Sequence, residues 1–259
     1  MFQSPQVSIV IPVYRNAETL AILYERLGQV LAPLGSYELL FVNDACPANS
    51  SKVLETLALR DGRVSILDLE RNVGQHQAVM TGLAYAQGAQ IVIIDADLQD
   101  PPEAIPVMLL KLEQGFAAVF AGRRGRYESL RRLLTSRIFK WLLSLLCAVP
   151  RDAGIFMVIN TQMKERLLAC RWPIQPFVVA MTGCMKLAVT SIPVTRDQRP
   201  VGHSAYNFWG RLKSACRAIS GVILYKYFPK YRRSPALTNR VNVKSYIGER
   251  FSSLPEHLQ

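Results

Sequence analysis

Cysteine, acidic side chains and long apolar runs are all scarce in this chain, and each scarcity removes a class of protein. The five cysteines (Cys46, Cys147, Cys170, Cys184 and Cys216) are scattered, odd in number and lack a CxxC pair. That argues for buried reduced thiols and against a disulfide or zinc framework. No stretch reaches the ~18 to 20 consecutive apolar residues that cross a bilayer. The longest candidates, Leu130 to Val149 and Ala205 to Phe228, are broken by Arg and Lys. Met1 to Pro5 carries no basic leader segment, so the chain is expected to be cytoplasmic, peripheral on the cytoplasmic face of a membrane. A Gly-rich phosphate loop near the first strand is missing, which argues against a nucleotidyltransferase. No RRM, KH, helix-turn-helix or zinc signature is visible, so nucleic acid is not an expected partner.

What is abundant is hydrophobic residue and positive charge. Half of the 259 residues are hydrophobic, enough for one substantial core. The net charge of +12 is unevenly placed. Gly122 to Lys140 holds seven Arg or Lys against one Glu, and Arg196 to Arg250 holds twelve against Asp197 and Glu249. Such clusters point to an anionic partner, either substrate phosphates or an acidic membrane surface.

Up to Ala121 the chain alternates short apolar runs with helix-period segments. Strands are predicted at Val7 to Val13, Tyr37 to Val42, Val64 to Leu69, Gln90 to Ile94 and Ala117 to Ala121. Helices are predicted at Glu18 to Leu31, Ser50 to Leu59, Gln75 to Tyr85 and Glu103 to Glu113. This alternation predicts an α/β fold, a mostly parallel sheet with helices on both faces. Beyond Gly122 the pattern predicts a basic amphipathic helix over Ser129 to Leu146, strands near Ile155 to Ile159 and Met185 to Val194, and a helix over Gln162 to Ala169. Another basic amphipathic helix is predicted over Tyr206 to Tyr227. The basic tail beyond Pro229 shows little pattern. Two units are expected, 1–204 and a basic 205–259 suited to a membrane interface.

In such sheets ligands collect at the carboxyl ends of the strands. The fourth predicted strand empties into Asp95-Ala96-Asp97-Leu98-Gln99-Asp100-Pro101-Pro102-Glu103. Two carboxylates one residue apart can converge on one hard cation, Mg2+ or Mn2+, together with phosphate oxygens of a nucleotide. The first strand ends near Tyr14 and the second at Asp44, a ring and a carboxylate that suit a nucleobase. Asp44 alone is equally well read as a turn or cap residue. Arg71, at the third strand end, suits a base or a phosphate.

Together these pieces resemble the family 2 glycosyltransferases of the GT-A fold, closest to the branch that loads sugars onto polyprenyl phosphates. The likeness covers about residues 7 to 215, and Asp95 to Glu103 is its most specific element. The resemblance implies that Pro12, Tyr14 and Asp44 surround the nucleoside, and that Asp95, Asp97 and Gln99 meet metal and diphosphate. It implies that Arg123 and Arg131 lie near the phosphates and that Asp152 faces the acceptor. It also implies that Arg199, Gly202, Ser204 and Tyr206 close over the donor. Asn16, Asn43, Ala45, Cys46, Met157 and Ala205 depart from that pattern.

The resemblance further implies an inverting, metal-dependent transfer from a nucleotide-sugar donor in one displacement. A hydroxyl acceptor needs a general base, for which Asp152 is the candidate. A lipid phosphate needs cations instead, and the Arg-rich stretch and Arg199 favour a polyprenyl phosphate. A membrane surface or a membrane-protein partner is then expected. Transfer to a glycan hydroxyl and a catalytically inactive scaffold subunit are the alternatives.

Overall fold

The computed structural model describes residues 5–124, 139–197, 208–228, 230 and 243–248. The strands are β1 (Val7–Val13), β2 (Tyr37–Asn43), β3 (Val64–Leu69), β4 (Gln90–Ile93), β5 (Ala118–Arg124), β6 (Met157–Asn160), β7 (Val189–Thr195) and β8 (Val243–Ile247). They form one sheet in the order β7-β5-β6-β4-β1-β2-β3-β8. The helices are α1 (Ala17–Leu31), α2 (Ser50–Arg60), α3 (Gln75–Tyr85), α4 (Ile105–Leu112), α5 (139–146), α6 (Thr161–Ala169), α7 (Val178–Cys184) and α8 (Phe208–Tyr227).

The sheet is mixed where the sequence predicted mostly parallel. The central block β4-β1-β2-β3 is parallel, as is β5 with β7. β6 runs antiparallel to both β4 and β5, and β8 antiparallel to β3. Strands buried on both faces read as near-continuous apolar runs, and β1 (VSIVIPV) and β2 (YELLFVN), buried throughout, break that run only at Ser8, Glu38 and Asn43. Alternate residues then serve opposite faces. Ile9, Ile11, Val13, Leu39 and Phe41 pack with the Leu20, Leu23, Leu27, Leu31 stripe of α1. Val10, Leu40, Val42 and Leu67 pack with α3, α7 and Val222 of α8.

The strand directions gather the functional segments at one edge. β1 to β5 and β7 all end there, and antiparallel β6 begins there. Pro12 sits inside a central strand without costing a ladder bond. The Val10 carbonyl accepts from Ile94 N on the β4 side, so the absent N–H of Pro12, two residues on, faces the side where the β4 pairing has already ended.

Two expectations change, and a third is met over the residues described. Val178–Cys184 is a helix, and the strand predicted from Met185 starts only at Val189. Within the predicted Ser129 to Leu146 helix, 139–146 is helical and the remainder lies outside the described residues. The unpatterned tail contains β8. Tyr246 stacks on Tyr85 at 5.9 Å and donates to Ser65 Oγ, and Ser245 Oγ donates to Asp68.

Candidate active site

The loop after β4 alternates like the strand that feeds it. Asp95, Asp97 and Gln99 are half-buried, whereas Ala96, Leu98 and Asp100 are buried. The inward residues anchor the loop. Thr19 Oγ1 donates to the Ala96 carbonyl at 2.5 Å, and Arg196 clamps Asp100 through two bonds of 2.6 and 3.0 Å. Glu103 accepts two bonds from Arg26 of α1, which also reaches Asp197. The outward residues form the site. Gln99 N donates to Asp97 Oδ1 at 3.1 Å, and the Gln75 side-chain amide donates to Asp95 Oδ1.

Arg196 brings a positive charge beside this pair. Burial works against the guanidinium, but Asp100, Asp97 and Asp95 outweigh it and raise its pKa above the usual value. Among the described residues no group of three or more His, Cys, Asp or Glu is gathered to hold a metal. Asp95 and Asp97 are two hard carboxylates of a kind that suits Mg2+ or Mn2+ where phosphate oxygens complete the shell.

The neighbouring loops are held in strained backbone. Arg15, Ala45 and Leu98, just after β1, β2 and β4, have φ of 59°, 46° and 58°. Each non-glycine residue there costs on the order of 1 kcal/mol. Cys46 ties the first two loops together: Arg15 N donates to its Sγ at 3.0 Å, and its own N–H reaches Asn43 Oδ1. Asn43 donates to Ser51 and, at 2.6 Å, to its register partner Asp68. An Asp at 43 would set two carboxylates against each other.

Asp44 is 2% exposed, and its oxygens accept the backbone N–H groups of Val73 and Gly74 at 2.7 and 2.9 Å. Burial pushes its carboxyl pKa up, against the lowering by these two bonds. Asp44 thus shapes the β3–α3 loop, where Gly74 has φ 88°. Tyr14 is half-buried under the Arg15 guanidinium, 5.3 Å from its ring centroid, and Arg71 is exposed at the end of β3.

Asp152 precedes β6 and packs against Gly122 of β5; a Cβ at 122 would lie 2.1 Å from its Oδ2. Glycine is what lets this carboxylate approach the strand. Arg123 belongs to the last two residues of β5 at the same edge. Arg131, Arg199, Ser204 and Tyr206 lie outside the described residues. Gln75 and Arg196 escaped the sequence reading. Gln75 opens α3 directly after the loop at the third strand end, whereas Arg196 is 96 residues from Asp100 and leaves no local signal.

The family model for glycosyl transferase family 2 matches residues 8–174. An uncharacterized glycosyltransferase, YkcC, of Bacillus subtilis (strain 168) is 35% identical over 228 residues, covering 86% of this chain and 69% of that protein. The undecaprenyl-phosphate 4-deoxy-4-formamido-L-arabinose transferase of Proteus mirabilis (strain HI4320) is 33% identical over 78% of this chain, which spans 63% of the length of that protein. Among solved structures, the mannosyltransferase PcManGT from Pyrobaculum calidifontis, in complex with GDP-Man and Mn2+, superposes with a TM-score of 0.62 at 18% identity, over 90% of this chain and 66% of that one. The chain belongs to glycosyl transferase family 2 and is a transferase.

Proposed function

We propose that this family 2 member transfers a sugar from a nucleotide-sugar donor to a polyprenyl phosphate, inverting the anomeric centre. The observation that carries the reading is the alternation of the β4 loop, which leaves Asp95, Asp97 and Gln99 less buried than their neighbours, with Gln75 bonded to Asp95 and the Arg196 charge felt by both carboxylates. Asp95 and Asp97 are the ligands for Mg2+ or Mn2+. When bound, the cation offsets the charge that develops on the departing diphosphate.

The other residues bind and orient. Tyr14 stacks on the base, Pro12 keeps the end of β1 clear, and Asp44 and Arg71 set the loop that meets the nucleoside. Gln99, Arg123, Arg131 and Arg199 serve the phosphates, and Ser204 and Tyr206 close over the donor. Asp152 faces the acceptor. In the alternative reading, transfer to a glycan hydroxyl, it is the general base.

The acceptor assignment draws on the Proteus mirabilis relative, whose name specifies undecaprenyl phosphate. It also draws on an exposed apolar surface. Trp141 and Leu145 of α5 are 48% and 70% exposed, and Tyr227 at the end of α8 is 63% exposed. Lys226 Nζ reaches the Leu146 carbonyl, which joins the ends of the two helices. Aromatic and aliphatic residues beside lysine suit the membrane interface. No helix among the described residues is long and apolar enough to cross a membrane. We place the enzyme peripherally on the cytoplasmic face, with residues 1–204 as the catalytic unit and 205–259 as the membrane-facing one.

The test is transfer of sugar to undecaprenyl phosphate in the presence of Mn2+, with Asp97→Ala as control. Lipid-linked sugar that disappears in the variant supports the reading. Transfer to glycan hydroxyls alone would replace it with the alternative.

A further inference from the structure

A concavity of about 320 Å3 opens between the start of α3 and α8. Gln75 and His76 at the start of α3, Phe177 before α7, and Lys213, Ser214 and Arg217 of α8 line it. Lys213, Ser214 and Arg217 are spaced three and four residues apart, so they share one face of α8. Gln75 joins this pocket to the metal pair, since its side chain lines the one and donates to Asp95 in the other.

Three features describe what the pocket would take. No Asp or Glu stands among its described lining residues, whereas two cations do. One of the two, Arg217, is held by a chain of bonds: it donates to Gln175 Oε1 at 2.9 Å, and Gln175 Nε2 donates to the Val73 carbonyl at 3.0 Å. That loop is the one Asp44 fixes. Finally, His76 packs its ring on Phe177 at 4.3 Å, and its buried Nδ1 has no partner among the described residues. Buried polar atoms ordinarily have a hydrogen-bond partner, and this one lies on a pocket-lining residue.

We propose that this pocket receives the phosphate of the acceptor, a phosphomonoester, with Lys213 and Arg217 as its cationic contacts. The inference rests on the phosphate-acceptor reading above. It gives the lack of a carboxylate there a chemical reason. A phosphomonoester has its second pKa near ~6 and is dianionic at neutral pH, so its oxygen attacks without giving up a proton. The new bond joins that oxygen to the anomeric carbon. The bond from that carbon to the donor diphosphate breaks, and its electron pair leaves with the nucleoside diphosphate. A hydroxyl acceptor would need a base in this position. From Arg217, α8 continues for ten residues, about 15 Å at 1.5 Å per residue, to the exposed Tyr227. A lipid whose phosphate sits in the pocket can thus run its chain toward the apolar surface.

The experiment compares the wild type with Lys213→Ala, Lys213→Glu, Lys213→Arg and Arg217→Ala. It measures the KM for undecaprenyl phosphate in vesicles and for a water-soluble short-chain isoprenyl monophosphate, and the Kd for the donor nucleotide. Loss of one charged contact should raise both acceptor KM values roughly tenfold or more, and the donor Kd should hold. Lys213→Arg, which keeps the charge, should restore most of the affinity. Lys213 has an exposed side chain, so its variants report on binding even where Arg217→Ala perturbs folding. An effect confined to the vesicle acceptor would assign these cations to membrane attachment and overturn the proposal. Unchanged KM values in a lysine variant of an enzyme that makes lipid-linked sugar would overturn it too. A wild type that makes none would instead overturn the reading on which it rests.

Discussion

Gln75, the first residue of α3, donates its side-chain amide to Asp95 Oδ1. A partner that orients a ligand's free lone pairs commonly sets metal affinity by 10- to 100-fold, on the order of magnitudes seen for outer-shell residues. Gln75→Ala should therefore raise the Mn2+ concentration for half-maximal activity about tenfold, with little change in melting temperature. An unchanged Mn2+ requirement would remove Gln75 from the site.

Arg196 and Asp100 form an ion pair in which Asp100 is only 1% exposed. Removing one partner of such a pair leaves an uncompensated buried charge. Arg196→Met should cost about 3 kcal/mol by urea unfolding, and adding Asp100→Asn should recover part of that loss. Equal stability of all three proteins would show that the clamp does not hold the β4 loop.

How much of this was legible beforehand follows from where each signal sits along the chain. β1, β3 and α3 were read with their observed limits because apolar runs mark the strands locally and Gly74 and Gly88 bracket the helix. The position of Asp95 and Asp97 at the exit of a buried strand was legible for the same reason. α7 was not, since all seven of its residues are buried and no polar face breaks the pattern. β8 was missed because it lies on the sheet edge, with only Val243 and Tyr246 turned toward the core. The roles of Asp44 and Asn43 depend on loops and strands brought together from elsewhere. Their bonds to Val73, Gly74 and Asp68 exist only once the sheet has formed.

Burial pushes the His76 pKa down from 6.5 to about 4. The unfolded chain takes up a proton near pH 6.5, and the folded one not until about pH 4, so the unfolded state binds more protons between these values. Stability is therefore full above that window and falls as pH drops through it, by roughly 3 kcal/mol in all. His76→Phe should lose less stability than the wild type between pH 7 and pH 4 in chemical unfolding. Parallel pH profiles would show that His76 is not held neutral by burial.

A Cβ at position 122 would meet the Asp152 carboxylate at 2.1 Å and the Ile192 carbonyl at 3.1 Å. Gly122→Ala should displace Asp152 while leaving the β4 loop in place. With Asp152 facing the acceptor, turnover should fall on the order of tenfold, while the Kd for the donor nucleotide stays the same. Unaltered turnover would place Asp152 away from the acceptor.

The central claim, metal-dependent transfer of a sugar to a polyprenyl phosphate, is tested most directly by one assay. The purified protein is incubated with Mn2+, undecaprenyl phosphate and a panel of UDP-, GDP- and dTDP-sugars. Both nucleoside diphosphate release and lipid-linked sugar are followed. The expected result is one donor consumed only when lipid phosphate and metal are both present, with product lost in Asp97→Ala. Silence across the panel, with no donor bound, would contradict the claim and favour an inactive scaffold subunit.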